Sequence, residues 1–272
     1  MTTEDSGRRL PAGRKAELAS FVAESGEVTV ARLAERFEVS VDTIRRDLDQ
    51  LDADGHVIRT HGGAVSLSAV PRPEFGLDVR IRMQPAAKEA IGIIGAGLVR
   101  DGMVLMINAG STALAVARNL RDRRELTIAT NSLRLPDEIA PEAIRDLYVF
   151  GGSVRFTAQA TVGPVGIPIV GSHLGDGSEA DIQSDLALIG VGAVSAHGGY
   201  WTSNLAEAQM LRGMMHRAAK VAILADSSKL DRRLFAQITE LAEADYLITD
   251  VPPPAELARA LEKAGVEVLT PP

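Results

Sequence analysis

The chain has 272 residues, no cysteine and a formal net charge of −7. With 46% hydrophobic but only 4% aromatic residues, it is long enough for a large domain plus a smaller one, with a core of Ala, Val, Leu and Ile. The composition excludes disulfides, thiolate metal sites and cysteine nucleophiles; no apolar run reaches the roughly 18 residues of a membrane span, and the acidic balance counts against a plainly basic nucleic-acid binder.

The opening MTTEDSGRRLPAGRK lacks the apolar stretch of a secretory leader, so a soluble cytoplasmic protein is expected. Leu18, Phe21 and Val22 predict a first helix over about 14–24, ending near Gly26. Thr29 is placed to cap a second helix carrying Val30, Leu33, Ala34 and Phe37. Ser40 caps a third, whose buried stripe is Ile44, Leu48 and Leu51 and which Gly55 stops. HVIRTHGGAV then reads as two short strands around a turn. Three helices followed by a ribbon make a winged helix-turn-helix.

Val41, Asp42, Thr43, Arg45 and Arg46 lie off the buried stripe, in the first two turns of the third helix. That part of a recognition helix enters the major groove. Arginine grips guanine or phosphate, and threonine meets a phosphate or a thymine methyl. Arg59 and His61 on the ribbon can reach the backbone or the minor groove. The candidate DNA-reading set is Ser40, Asp42, Thr43, Arg45, Arg46, Arg59 and His61. It rests on placement: the first 63 residues hold nine Lys and Arg against twelve Asp and Glu. The acids Asp49, Asp52 and Asp54 come later on the helix, where it leaves the groove.

From about 65 to 85 the chain carries Pro71, Pro73 and Pro85 with Ser66, Ser68 and alternating charges. This reads as a connection between domains, semi-extended near the prolines. DVRIRM within it fits either a strand or a helix start. From Ala86, helical AAKEAIGIIGAGLV alternates with strands in MVLMINAG, LTIATN, LYVFGG, DLALIGVG, KVAILAD, YLITD and VEVLT. STALAVARNL, NLAEAQMLRGMMHRAA and 255–263 are helical. Continuous apolar strands separated by helices predict a parallel sheet buried on both faces.

Ligands of such sheets sit beyond the carboxyl ends of the strands. Small polar residues gather there: Asn108 to Thr112, Thr130 to Ser132, Gly151 to Ser153 and Gly190 to Gly192, with Asp226 and Lys229 after a later strand. Glycines admit backbone N–H groups, hydroxyls donate, and the helix opening at Ser111 and Thr112 offers free N–H groups, a pattern suited to a small anion. GIIGAG at 92–97 lies inside a helical pattern, and GVGAVSAHGG has Ser195 where a third glycine belongs, so neither is a dinucleotide motif. His56, His61, His173, His197 and His216 form no metal-ligand spacing, and neither metal nor cofactor is expected.

VTVARLAERFEVSVDTIRRDLDQLDADGHVIRTHGGA resembles the N-terminal signature of DeoR-type bacterial transcriptional regulators, most specifically in VS-x-x-TIRRDL followed by R-x-HGGA. KEAIGIIGAGLVRDGMVLMINAGSTALAVARNL, TNS, FGGSVR, DLALIGVGAV, GGYWTSN and LADSSK resemble the effector domain of the same family. The resemblance covers nearly the whole chain. It implies a ribose-5-phosphate isomerase/CoA-transferase-like α/β domain that binds a phosphorylated sugar or related metabolite. It points to Asn108, Gly110, Ser111, Thr112, Thr130, Asn131, Gly151, Gly152, Asp185, Gly190, Gly192 and Lys229. The chain departs from the family pattern at Asn108, where Asp is usual, at Gln209, which replaces an acid, and at Leu211, which replaces a lysine. A Gly-rich stretch over 163–184 looks like an insertion or a flexible loop.

The expected organisation is a winged helix-turn-helix over 10–66, a linker over 67–85 and an effector-binding α/β domain with a mainly parallel sheet over 86–272. The expected function is a cytoplasmic repressor of a sugar operon, working as a homodimer or homotetramer on a double-stranded DNA operator and released by its effector. The alternative is a sugar-phosphate isomerase-like enzyme with an appended helical domain. Asp185 and Glu207 are its candidate bases, although a strand-start cap or hydroxyl binder is the favoured reading of Asp185.

Overall fold

The computed structural model describes residues 11–69, 75–165 and 182–272. It divides into two compact units. The described residues up to 69 go with 78–85, and 75–77 go with everything from Ala86 onward.

The first unit runs α1 (Pro11–Ser25), β1 (Glu27–Thr29), α2 (Val30–Phe37), α3 (Val41–Ala53), β2 (Ile58–Arg59) and β3 (Gly63–Val65). Thr29 Oγ1 accepts the Arg32 N–H at 3.3 Å and Ser40 Oγ accepts the Thr43 N–H at 3.2 Å, so both expected caps form. Leu18, Val22, Leu33, Ile44 and Leu48 interlock the three helices with no exposed surface. β1 is a third strand absent from the two-strand reading; the sheet order is β1-β3-β2, antiparallel throughout. Three residues are too few for a legible alternation. A Cβ on Gly63 would stand 2.0 Å from the Val28 carbonyl oxygen, so the close approach of β3 to β1 requires the second glycine of HGG.

DVRIRM is a helix: α4 (Leu77–Arg82). Met83 is fully buried, Gln84 turns the chain in the left-handed region at φ 49°, and Pro85 opens α5 (Pro85–Gly97). The described end of the expected semi-extended linker is therefore two helices joined by a tight turn, with proline at the first helical position, where it suits. Pro71 and Pro73 lie outside the described residues.

The second unit continues with β4 (Val104–Ile107), α6 (Ser111–Arg118), β5 (Leu126–Thr130), α7 (Leu135–Glu138), β6 (Ile144–Val149), β7 (Ser153–Arg155), β8 (Ala160–Val162) and β9 (Leu186–Gly190). Then come β10 (Ala193–Ser195), β11 (Gly199–Thr202), α8 (Leu205–Met215), β12 (Val221–Leu224), β13 (Ala236–Thr239), β14 (Tyr246–Ile248), α9 (Ala255–Ala264) and β15 (Glu267–Leu269). Among the described residues one seven-stranded sheet has the order β15-β14-β12-β9-β4-β5-β6, with every pairing parallel. Its central strands are apolar on both faces: Leu105, Ile107, Ile128, Leu188, Ile189, Ile223 and Leu224 have no exposed surface. Two antiparallel pieces, the β7–β8 hairpin and the sheet β10-β11-β13, follow the carboxyl ends of β6 and β9. Most of the Gly-rich stretch expected at 163–184, including His173, lies outside the described residues.

Glycine sets how closely α5 meets α6. A Cβ on Gly92 would lie 2.7 Å from the Ala115 carbonyl oxygen, and one on Gly95 2.9 Å from Val116 Cγ2. Gly97, at the end of the same helix, has no such neighbour within 4 Å. Gly92→Ala should therefore lower the stability of the second unit by about 1–3 kcal/mol, whereas Gly97→Ala should be neutral or stabilise by up to about 1 kcal/mol. Urea unfolding followed through Trp201, the chain's one tryptophan, checks the contrast; equal midpoints for the two variants would refute the close packing.

Candidate functional site

Two surfaces concentrate the candidate residues, one on each unit. On the first, Arg45 and Arg46 stand exposed in the opening turns of α3. Their contacts are weak and local. Arg45 Nη1 meets Asp42 Oδ1 at 3.1 Å and Arg46 Nε donates to the Asp42 carbonyl at 3.2 Å. An exposed pair of this kind is worth at most about 1 kcal/mol, so either guanidinium is free to turn toward a phosphate or a base edge. Thr43 Oγ1 lies 2.9 Å from Ser40 Oγ, and these two hydroxyls serve the helix start. His61 is exposed at the tip of the ribbon.

The acids of α3 behave differently. Asp47 is buried and takes the Arg14 guanidinium at 2.7 Å, with a raised Arg14 pKa whose main cause is that hydrogen bond. Asp49 pairs with Arg59 at 3.2 Å. Asp52 pairs with Arg82 at 2.7 Å and accepts the Arg59 N–H at 2.8 Å. Arg59 itself needs correction. Its guanidinium donates to the carbonyls of Thr60 and, at 2.8 Å, Gly63, besides pairing with Asp49. It braces the ribbon turn from within and is not held out toward a groove.

On the second unit, the carboxyl ends of β4, β5, β9 and β12 converge. Asn108, 1% exposed, donates through Nδ2 to the Gly190 carbonyl at 2.8 Å and accepts the Gly190 N–H on Oδ1 at 2.7 Å. Asn131, 2% exposed, accepts the Ala109 N–H at 2.7 Å and donates to the Thr161 carbonyl at 2.8 Å. Thr130 Oγ1 accepts the Ser132 N–H at 3.0 Å. These two amides, expected to face a ligand, instead join the loops to one another, and the hydroxyl closes its own turn.

What faces the opening of α6 is different chemistry. Gly110 gives that helix no side-chain cap, leaving its first N–H groups and positive dipole end beside the hydroxyls of Ser111 and Thr112. Lys229 Nζ lies 3.4 Å from Thr112 Oγ1 and 3.4 Å from Asp226 Oδ2. Asp226 has no exposed surface and caps the turn at Ser227–Lys229 through the Ser228 N–H at 3.2 Å. Burial pushes its carboxyl up, but the Lys229 charge, the Ser228 hydrogen bond and the Lys88 charge outweigh burial and hold it below the ordinary aspartate value. Lys88, on α5 and only 3% exposed, is the site residue that the motif reading missed. Its signal was a lysine that stands with Glu89 at the head of the otherwise apolar run AAKEAIGIIGAG.

The remaining candidates fall elsewhere. Asp185 precedes β9 and accepts the Val104 N–H at 2.8 Å, at the amino ends of β9 and β4. It is a strand-start cap at the amino ends of the strands, opposite the carboxyl ends that carry the site. Gly152 packs against the Val162 carbonyl, while a Cβ on Gly192 would meet Leu234 Cδ1 at 2.5 Å. Gly151 is exposed beside them. Glu207, the other candidate base, is held by Thr202 Oγ1 at 2.6 Å and Arg155 at 3.2 Å.

Asp226→Asn should destabilise the second unit by about 3–5 kcal/mol near neutral pH, because it removes the carboxylate facing Lys229 and Lys88. A depressed folded pKa contributes stability above the unfolded value of 3.8 and loses it as pH falls below that value. The gap between wild type and variant should therefore narrow from pH 7 toward pH 3; urea midpoints at the two pH values measure it, and a constant gap would contradict the charge arrangement.

Among the described residues no helix is long and apolar enough to cross a membrane, and no group of three or more His, Asp or Glu could hold a metal ion. A DeoR-like helix-turn-helix domain matches residues 14–70 and a DeoR C terminal sensor domain matches residues 83–251. The HTH-type transcriptional regulator GlpR of Haloferax volcanii is 34% identical over 96% of this chain and 98% of its own. The HTH-type transcriptional repressor CsqR of Escherichia coli is 31% identical over 95% of each chain. The HTH-type transcriptional repressor GlcR of Bacillus subtilis is 31% identical over 94% and 95%. A solved ribose 5-phosphate isomerase from Methanocaldococcus jannaschii covers 53% of each chain at 20% identity and a TM-score of 0.35, too slight a likeness to carry a functional statement. The capped α3 with its ribbon and the sensor-domain sheet later in the chain thus both lie within full-length matches: the chain belongs to the DeoR family of transcriptional regulators.

Proposed function

We propose that the protein is a repressor of a sugar or carbohydrate operon whose affinity for DNA is set by a phosphorylated sugar or related metabolite. The observation that carries the DNA half is the distribution of charge on α3. Arg45 and Arg46 are outward and loosely held, while Asp47, Asp49 and Asp52 are each engaged by an arginine of the same unit. The acidic sum thereby leaves a cationic reading edge, and phosphate contacts supply most of the affinity. Arg45 and Arg46 read or grip the major groove, with Thr43 beside them and His61 at the ribbon tip.

The metabolite sits at the start of α6. An uncapped helix N-terminus, two hydroxyls and Lys229, with Lys88 close to the same aspartate, suit a phosphate. Binding there and binding to DNA are linked, so each alters the other by the same factor. The protein acts in the cytoplasm as a homodimer or homotetramer on repeated half-sites. It is not an isomerase: Asp185 lies at the amino ends of the strands, away from the start of α6, and Glu207 is tied to Thr202 and Arg155. The names of CsqR and GlcR support repression as the sign of control.

Arg46→Ala should weaken operator binding by about 1–3 kcal/mol at unchanged thermal stability, and should reduce the salt slope by about 1 if its partner is a phosphate. Arg59→Ala should instead loosen the ribbon and lower stability. Gel-shift titrations over a salt series, on fragments of the protein's own promoter region, measure both; unaltered affinity in Arg46→Ala would remove it from the interface. Thr112→Ala should retain operator affinity and lose most of the response to phosphorylated sugars. A normal response across a sugar-phosphate panel would move the ligand away from α6.

A further inference from the structure

We infer that Asp42 and Arg45 act together as the reader of one G·C base pair; this rests on the reading of α3 as the helix that enters the major groove. Asp42 is the odd acid of that helix. Asp47, Asp49 and Asp52 meet arginines from α1, the ribbon and α4, and Asp47 keeps only 8% of its side chain exposed. Asp42 keeps 79%, and its partner is Arg45, on the same helix and itself 57% exposed. A carboxylate in the first turn of a groove helix repels every phosphate near it. It therefore weakens binding to all sequences alike unless a base offers it a donor.

Both arginines of the reading edge are arranged around this residue. Arg45 Nη1 donates to Asp42 Oδ1 at 3.1 Å, and Arg46 Nε donates to the Asp42 carbonyl at 3.2 Å. Residues three apart on a helix lie side by side, so the Asp42 carboxylate and the Arg45 guanidinium set an acceptor next to donors on one exposed face. Their bond uses one carboxylate oxygen and one guanidinium nitrogen, leaving Oδ2 and the remaining N–H groups for an outside partner. In the major groove a G·C pair shows the N7 and O6 acceptors of guanine and then the N4 donor of cytosine. Guanidinium on guanine and carboxylate on cytosine match that row in full. An A·T pair shows an acceptor, a donor and then the O4 acceptor of thymine. There the guanidinium meets the adenine donor and the carboxylate meets O4, acceptor against acceptor. Asp42 thus rejects A·T, where Arg45 alone still finds the N7 acceptor common to both purines. Arg46, anchored to the main chain, is left for a phosphate.

Selection of sites from a random-sequence duplex library by the full-length protein tests this, read position by position. Affinities for a selected site and for a scrambled duplex are then measured at one salt concentration. Wild type should select a site holding a G·C pair at a position that Arg45→Ala relaxes. Asp42→Asn should relax that same position toward A·T, because an amide both donates and accepts, and should leave the preference elsewhere as in wild type. Its preference for G·C over A·T there should fall about tenfold, within the range that one base contact supplies. Binding to the scrambled duplex should rise at the same time, since a negative charge has gone from the DNA face. A role confined to the helix dipole would lower thermal stability and leave every base preference where it was, which would refute the pairing. So would Asp42→Asn and Arg45→Ala relaxing different positions, or a shared position that is A·T in wild type; the groove reading stands in each of these cases. No selected site with wild type, or a site bound equally by Arg45→Ala and Arg46→Ala, would refute the groove reading and the proposal with it.

Discussion

A parallel sheet runs out of backbone partners where its strands end, and the second unit depends on how that shortage is met. Strands that stop side by side leave N–H and carbonyl groups that cost about 1–3 kcal/mol each if buried without partners. Asn108 and Asn131 are the solution. Each carries a donor and an acceptor on one short side chain, and each is matched at both ends: Asn108 to the two sides of Gly190, Asn131 to Ala109 and Thr161. The loops after β4, β5 and β9 and the β7–β8 hairpin become one network. The start of α6 is held inside that network, which is why a helix opening without a side-chain cap can persist there with a fixed direction.

This division of labour explains which parts of the site were legible from the residues alone. Strand, turn and helix were readable because apolar runs of four to five residues alternate with helical periods, and because glycine and small polar residues cluster at strand ends. Asn108 was singled out by position, but its work is to join strands, which no motif distinguishes from touching a sugar. Asp185 is the strand-start cap that was favoured over a catalytic base, but it does not stand with the ligand set, because the sequence marks that a carboxylate adjoins a strand without saying which end of the sheet the neighbouring strand brings to it. Lys88 was overlooked for a related reason. Its partner Asp226 is 138 positions further on, since 226 less 88 is 138, and only the packing of α5 beside the strand ends brings their charges together.

The first unit shows the same limit in charges. Its helix caps and core stripe follow from local spacing, and Ser40, Thr29, Ile44 and Leu48 stand as their patterns imply. The net charge looked unfavourable because counting gives every ionised group equal weight. In the folded unit an aspartate facing an arginine of its own chain has little field left at the surface. Arg14, Arg59 and Arg82 come from α1, the ribbon and α4, so the three cancellations depend on tertiary contacts. Arg59 was read as outward for the same reason, its carbonyl partners being visible only once the ribbon is closed.

The backbone contact between α5 and α6 at Gly92 has a consequence for how the second unit can vary. Where two helices touch main chain to main chain, neither slides without dragging the other, so the pair moves as one piece. A side chain at Gly92 meets the Ala115 carbonyl and not a flexible neighbour, so no change of rotamer absorbs it and the two axes are wedged apart.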